Sequence, residues 1–214
     1  QELAQKNAEI EALQAQINPH FLYNTLDSVN WMLIARGEMD ISAVVVALGK
    51  LMQYSMDTAR AMVSLEEEYR NVRDYLMIQK NRLEDRLEFT LELDETLKCF
   101  PVPKLILQPL VENAIKYGIE PSLQPGHILV RTRKTDDDIQ ILVKDNGCGM
   151  DEAQLTFYRR LLRNDLSGQT NIGVRNVARR LQLHFGGRCG FNVSSRPGDG
   201  LSITIRIPAQ EEQS

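Results

Sequence analysis

Cysteine is scarce: three residues, Cys99, Cys148 and Cys189, in a chain of 214. Their number is odd and their spacing matches no metal-ligand pattern, which argues for a reducing compartment and against a disulfide framework. Charge of one sign is lacking too. Twenty-five Lys and Arg against 29 Asp and Glu leave a net −4, without the basic excess of a nucleic-acid binder, so no nucleic-acid partner is expected. No run of ~18 apolar residues occurs, so nothing in the sequence reads as a membrane-spanning helix. Signal peptide, internal repeat and low-complexity tract are all missing, as is the Walker A lysine loop of P-loop enzymes. What is present is 43% hydrophobic and 25% charged, enough apolar surface to exclude a long disordered tail. The length suits one large domain or two small ones. The chain opens on Gln1 inside a helical pattern, and it is read as a fragment of a longer protein.

The apolar period organises the rest. Leu3, Ile10 and Ile17 recur every seven residues with Leu13 between. This short heptad seam fits either a helix arriving from upstream or an amphipathic helix packed on its own chain. Residues 21–35 continue as helix with Leu22, Leu26, Val29 and Leu33 on one stripe, and Gly37 ends it. Ile41, Val44, Val45, Leu48, Leu51 and Met52 follow helical spacing, so two helices form an antiparallel hairpin, and two copies would close a four-helix bundle. Ser64 and Glu67 have capping-box spacing and open another helix, with Leu65, Tyr69, Val72, Leu76 and Leu83 as its stripe. The period then switches to two: Leu87, Phe89, Leu91 and Leu93 alternate with Glu88, Thr90 and Glu92. Further strands are expected at 128–133, 139–145, 191–195 and 201–207, with helices at about 103–117 and 174–185. The fold class expected is therefore a helical hairpin followed by an α+β sandwich, a mostly antiparallel sheet with helices on one face. The boundary falls near 58–64, giving domains of residues 1–62 and 63–210.

In the strand Ile139–Asp145, Ile139, Ile141 and Val143 share one parity, and Asp145 shares it with them. Its carboxylate points to the buried face at the strand end, where an unpaired charge is costly. Asn146, Gly147, Cys148, Gly149 and Met150 follow, compatible with a plain turn or with close approach of a ligand to a glycine backbone. The helix "LILQPLVENAIKYG" buries Ile106, Leu107, Leu110, Val111, Ala114 and Ile115, and carries Asn113, Lys116 and Tyr117 at i, i+3 and i+4 on another edge. That edge is either solvated or suited to a metal-bound polyphosphate. Gly173 precedes a helix striped by Val174, Val177, Ala178, Leu181 and Phe185, and free backbone N–H groups at such a start bind phosphate. "RPGDGLSITIRIP" closes the chain.

The order of these four pieces resembles the ATP-binding domain of the gyrase, Hsp90, histidine kinase and MutL superfamily, whose catalytic domain has the Bergerat-type fold. Asn113, Lys116 and Tyr117 look like its N box, "DNGCGM" like its first glycine box and "NIGVRN" like its second. The resemblance implies ATP and Mg2+ as cofactors. It implies that Asn113 holds the magnesium, that Lys116 approaches the phosphates, and that Tyr117 packs near the nucleotide. Asp145 would accept from the adenine amino group, Gly147 and Gly149 would make room for adenine, and Gly173 would serve the phosphates. Residues 150–172 would form a mobile lid. Two positions depart from the pattern: Pro109 stands where many kinases carry another polar residue, and Asn171 stands first in the second glycine box.

The first half carries "INPHFLYNTLDSVN". A lone histidine is most often structural, but "NPHFLYN" resembles the phosphoacceptor motif of the LytS/YesM-type sensor histidine kinases, and with "LQPLVENAIKYG" the resemblance spans nearly the whole chain. It implies autophosphorylation of His20 and transfer to an aspartate on a response-regulator receiver domain. It further implies a homodimer, and a cytoplasmic portion of a bacterial plasma-membrane protein whose sensor and transmembrane region lie upstream. Imidazole is largely uncharged near neutral pH, and its neutral nitrogen is a competent nucleophile. Phe21 occupies the place where other kinase families put an acid after the histidine, so an orienting partner must come from elsewhere. Asn24, one turn on, and Glu112, beside Asn113, are the two candidates. The alternatives are an ATPase of the same superfamily with water as acceptor, and a degenerate kinase that only binds and dimerises. His127 and His184 match no motif and read as structural.

Overall fold

The computed structural model describes residues 19–163 and 172–209. The chain divides into two compact units after Asp57. The heptad pattern of residues 1–18 and the segment 164–171 lie outside the described residues.

The first unit is a helical hairpin of α1 (Pro19–Ala35) and α2 (Met39–Met56). Gly37 ends α1 because the chain there needs φ of 76°, a conformation only glycine adopts freely. The N–H groups of Gly37 and Glu38 return to the carbonyls of Ile34 and Leu33, both at 3.0 Å, closing the helix end. Ser42 Oγ donates to Asn30 Oδ1 at 2.6 Å across the hairpin. Ala47 and Leu51 are buried, whereas Val29, Met32, Ile34, Ile41, Val46 and Leu48 remain exposed. One hairpin thus leaves much of its apolar stripe uncovered.

The second unit opens with β1 (Met62–Ser64) and α3 (Leu65–Leu83). The expected capping box forms in full: Ser64 accepts from the Glu67 N–H, and the Glu67 side chain accepts from the Ser64 N–H. β1 pairs antiparallel with β3 (Pro101–Pro103), so an edge at residue 62 or 63 would run through that pair; the contact boundary lies ahead of it. β2 (Leu87–Leu93), β4 (Gly126–Lys134), β5 (Asp138–Asp145), β6 (Gly190–Ser195) and β7 (Leu201–Pro208) form one sheet in the order β2-β4-β5-β7-β6. Only β2 and β4 run parallel; the other three pairings are antiparallel. Register places Leu91, Val130, Val143, Ile203 and Val193 in one row across all five strands. That row and its neighbours form the core, where Ile128, Ile139, Ile141 and Ile205 are fully buried.

Two expectations need correction. The helix expected from about residue 103 begins five residues later, as α4 (Gln108–Asn113), which runs on as a π-helix over Ala114–Ile119. Pro109 causes the late start: it has no N–H to give to the carbonyl of residue 105, and its ring would clash there. Leu105 instead takes a φ of 60°. The second concerns local structure only: the expected lid of residues 150–172, of which 164–171 lie outside the described residues, contains a capped helix not read from the sequence, α5 (Glu152–Leu162), whose Leu155, Tyr158, Leu161 and Leu162 are buried. α6 (Ile172–Phe185) follows, with the expected stripe inward.

Candidate nucleotide site and phosphoacceptor histidine

Asp145 is the side chain around which the site is built. It ends β5 on the buried parity and is 2% exposed. The N–H groups of Gly147 and Leu201 donate to its Oδ1 at 2.8 and 3.3 Å. Oδ2 has no hydrogen bond among the described residues. Burial pushes the carboxyl above its ordinary range, and the two N–H donors pull it back. An acidic group kept here at such cost, with one oxygen unspent, is suited to accept from a ligand amino group.

Asp145 lines a cavity of about 490 Å3. α4 and its π-helical extension contribute Asn113, Ala114, Tyr117 and Gly118; the glycine segment contributes Cys148, Gly149 and Met150; α5 contributes Phe157 and Tyr158. The widened π turn is closed by Glu120 N–H to Ile115 O at 2.9 Å, and such turns concentrate at functional sites. Asn113 Nδ2 donates to the buried Tyr158 hydroxyl at 3.3 Å, leaving its Oδ1 as an acceptor. Burial and the nearby Asp145 charge push the Tyr158 hydroxyl above its ordinary range, so it stays protonated.

The glycines make room, but for the protein's own backbone. A Cβ at Gly147 would stand 2.2 Å from the Gly118 carbonyl carbon, and one at Gly149, where φ is 68°, 1.9 Å from the Arg196 carbonyl oxygen. A Cβ at Gly118 would meet Asp145 Oδ1 at 2.7 Å. These glycines let three backbone segments converge behind Asp145.

Of the residues expected at the nucleotide, Asn113, Tyr117, Asp145 and Gly149 meet around the cavity; Gly147, Lys116 and Gly173 are not among its lining residues, nor is Glu112, the second candidate partner of His20. Lys116 is exposed, its Nζ 5.1 Å from the Tyr117 ring centre. Glu112 is exposed and accepts from Gln108 Nε2 at 2.7 Å. Gly173 lies in the first turn of α6, where a Cβ would come 3.3 Å from the Pro109 side chain. Tyr158 and Phe157 were missed because α5 was absorbed into the expected lid; the Asp151 and Gln154 capping box was a legible sign of that helix. Among the described residues no three His, Cys, Asp or Glu side chains cluster as a metal site.

In the first unit, His20 and Asn24 are both exposed on α1, one turn apart. Asn24 Nδ2 lies 3.2 Å from His20 Nδ1. As oriented, the amide donates and the ring proton sits on Nε2. The tautomer expected from the sequence, with Asn24 Oδ1 accepting from Nδ1–H, requires the amide to turn over.

The model of the histidine kinase-, DNA gyrase B-, and HSP90-like ATPases matches residues 102–211, and that of the histidine kinases matches residues 8–87. The chain belongs to the histidine kinase-, DNA gyrase B- and HSP90-like ATPase family. Sensor histidine kinase YesM of Bacillus subtilis is 42% identical over 97% of this chain and 34% of its own. Sensor protein kinase HptS of Staphylococcus aureus is 28% identical over 95% of this chain and 39% of its own. The LytS/YesM-type resemblance drawn from the motifs stands on these matches. The chain spans little more than a third of the length of these relatives. Among solved structures, the histidine kinase domain of the blue-light activated histidine kinase EL346 from Erythrobacter litoralis has a TM-score of 0.52 at 18% identity, covering 89% of this chain and 93% of that one. At that identity the likeness speaks for the fold.

Proposed function

We propose that this chain is the kinase core of a two-component sensor: residues 63–210 bind ATP, His20 receives its terminal phosphoryl group, and a receiver-domain aspartate takes it next. The observation that carries the reading is Asp145, a buried carboxylate with an unspent oxygen on a cavity that also holds Asn113. Asp145 Oδ2 accepts from the adenine amino group. Asn113 Oδ1, its amide nitrogen committed to Tyr158, is the hard oxygen donor for Mg2+. A single protein ligand fits, because magnesium keeps waters and substrate phosphates as its other ligands. When bound, Mg2+ neutralises charge on the phosphate oxygens. Lys116 and the start of α6 near Gly173 supply further positive potential to the phosphates. His20 attacks the terminal phosphorus through a neutral ring nitrogen as the bond to the ADP oxygen breaks; Asn24 or Glu112 orients the ring, and its remaining proton passes to solvent. Incubation with γ-labelled ATP and Mg2+ tests the reading: an acid-labile, base-stable label marks a phosphoramidate.

Asp145→Asn is expected to weaken ATP binding. The swap puts a donor where the adenine amino group donates, and an unpaired buried group costs ~1–3 kcal/mol, or roughly 5–150-fold in affinity. Calorimetry showing an unchanged affinity would reduce Asp145 to a turn former.

The hairpin is proposed as a homodimer interface, two copies covering the exposed apolar residues of α1 and α2 in a four-helix bundle. Light scattering at tens of micromolar should report a dimer; a strict monomer counts against it. No helix among the described residues is long and apolar enough to cross a membrane. Attachment to a sensor region is proposed from the relatives' names, and its place in the plasma membrane, with this portion on the cytoplasmic side, from the motif resemblance.

A further inference from the structure

Glu68 is the buried carboxylate for which the nucleotide chemistry has no use. It sits on α3, one residue past Glu67 of the capping box, and is fully buried. Its Oε1 accepts from the Leu105 N–H at 2.6 Å, and its Oε2 from the N–H groups of Ile106 and Leu107 at 2.9 Å each. Three consecutive backbone donors converging on one side chain fix a short stretch of chain in a single conformation. That stretch contains Leu105, a non-glycine residue at φ 60°, a strain that persists only where surrounding bonds over-determine it.

The same stretch is held from the opposite side. Arg180 of α6 donates through Nη1 to the carbonyls of Lys104 and Leu105, at 3.1 and 2.9 Å. Gly173, two turns earlier on α6, lies against Pro109, the second residue of α4. Asn71, nearly one turn after Glu68 on α3, donates to Gln108 Oε1 at 2.7 Å. What α3 and α6 grip here is the segment leading into α4 and the first two residues of that helix, whose last residue before the π-helical extension is Asn113. A short rigid helix transmits a tilt at its first turn directly to its last residue.

We propose that Glu68, with Arg180, is a positioning residue for the metal pole of the nucleotide site: the pair sets where α4 begins and thereby where Asn113 Oδ1 stands. The adenine pole is held by other bonds, since Asp145 belongs to β5 and accepts from Gly147 and Leu201. The inference rests on the proposed ATP site and deepens it. It also makes a division that a general structural role does not: loosening the bracket harms the magnesium-dependent part of ATP affinity and spares the metal-free part.

ATP binding to the full chain is measured by calorimetry with Mg2+ and with EDTA, beside thermal melts. In Glu68→Gln one carboxylate oxygen becomes an NH2 group facing backbone donors. The gain in affinity on adding Mg2+ is expected to shrink by about 10–100-fold, the range for lost outer-shell partners of a metal site. Metal-free affinity should fall less than threefold. Arg180→Met keeps the stem, removes both donors and should shift the same quantity in the same direction. Should Glu68→Gln fail to fold, Arg180→Met decides by the same criterion. Folded variants with the parental magnesium gain, or with both affinities falling in parallel, overturn the proposal. A parent that binds ATP with no magnesium gain overturns instead the assignment of Asn113 on which it rests.

Discussion

His20→Gln is expected to abolish autophosphorylation outright while leaving ATP affinity within about threefold of the parent, the scatter expected of a substitution outside the site. The two halves of this result come from different parts of the chain. The proposed acceptor lies in the unit ending at Asp57, whereas every residue lining the proposed nucleotide cavity lies in the unit that starts at Thr58. Glutamine keeps the polarity and helix compatibility of the position but has no nucleophilic nitrogen, since its amide lone pair is delocalised into the carbonyl. The loss is therefore complete rather than partial. The other two histidines are poor substitutes. His127 Nε2 is 2.9 Å from Thr90 Oγ1, and the His184 ring stands edge-on to Phe185 with centroids 4.5 Å apart. Equal labelling of His20→Gln, read by acid and base treatment of the product, would sink the assignment.

The features of the site that follow from period and side-chain chemistry were legible in the sequence. The parity of Ile139, Ile141, Val143 and Asp145 places a carboxylate on the buried face of β5, and all four are buried. The Ser64–Glu67 box marks a helix start because two orphan N–H groups need acceptors, and both bonds form. Features that depend on distant partners were not legible. β1 and β3, three residues each, are too short to show a period. The π-helix over Ala114–Ile119 has an ordinary helical pattern, so Lys116 was placed with Asn113 and Tyr117 but does not line the cavity. The glycines of "DNGCGM" read as room for a ligand, yet the atoms nearest their absent side chains belong to Gly118 and Arg196, 29 and 47 positions away in sequence. Glu68 looks like one more acidic residue in the first turn of an exposed helix. Only the fold brings Leu105, Ile106 and Leu107 to it.

Asn24→Leu is expected to slow autophosphorylation by ~10²-fold or more, the scale of a positioned acid–base partner, with ATP affinity and dimerisation unchanged. Phe21 fills the place after His20 with a side chain that carries no hydrogen-bonding group. Asn24 is one turn on, 3.2 Å from the ring through Nδ2 and Nδ1. An asparagine amide serves either tautomer by turning over. With Nδ2 donating, the proton sits on Nε2, which then needs a base before it attacks. With Oδ1 accepting from Nδ1–H, Nε2 presents a free lone pair, and the positive charge that develops on the ring is stabilised by the same oxygen. The second arrangement would lower the barrier without a base, so it is the one proposed to react. Asn24→Asp separates the two, since a carboxylate only accepts and so enforces the second tautomer. Its rate should stay within about tenfold of the parent, well above that of Asn24→Leu. An Asp variant as slow as the Leu variant would show that the donor role is the productive one. A Leu variant within threefold of the parent at saturating ATP would remove Asn24 from the mechanism, and the orienting role would then be sought at Glu112, whose carboxylate accepts from Gln108.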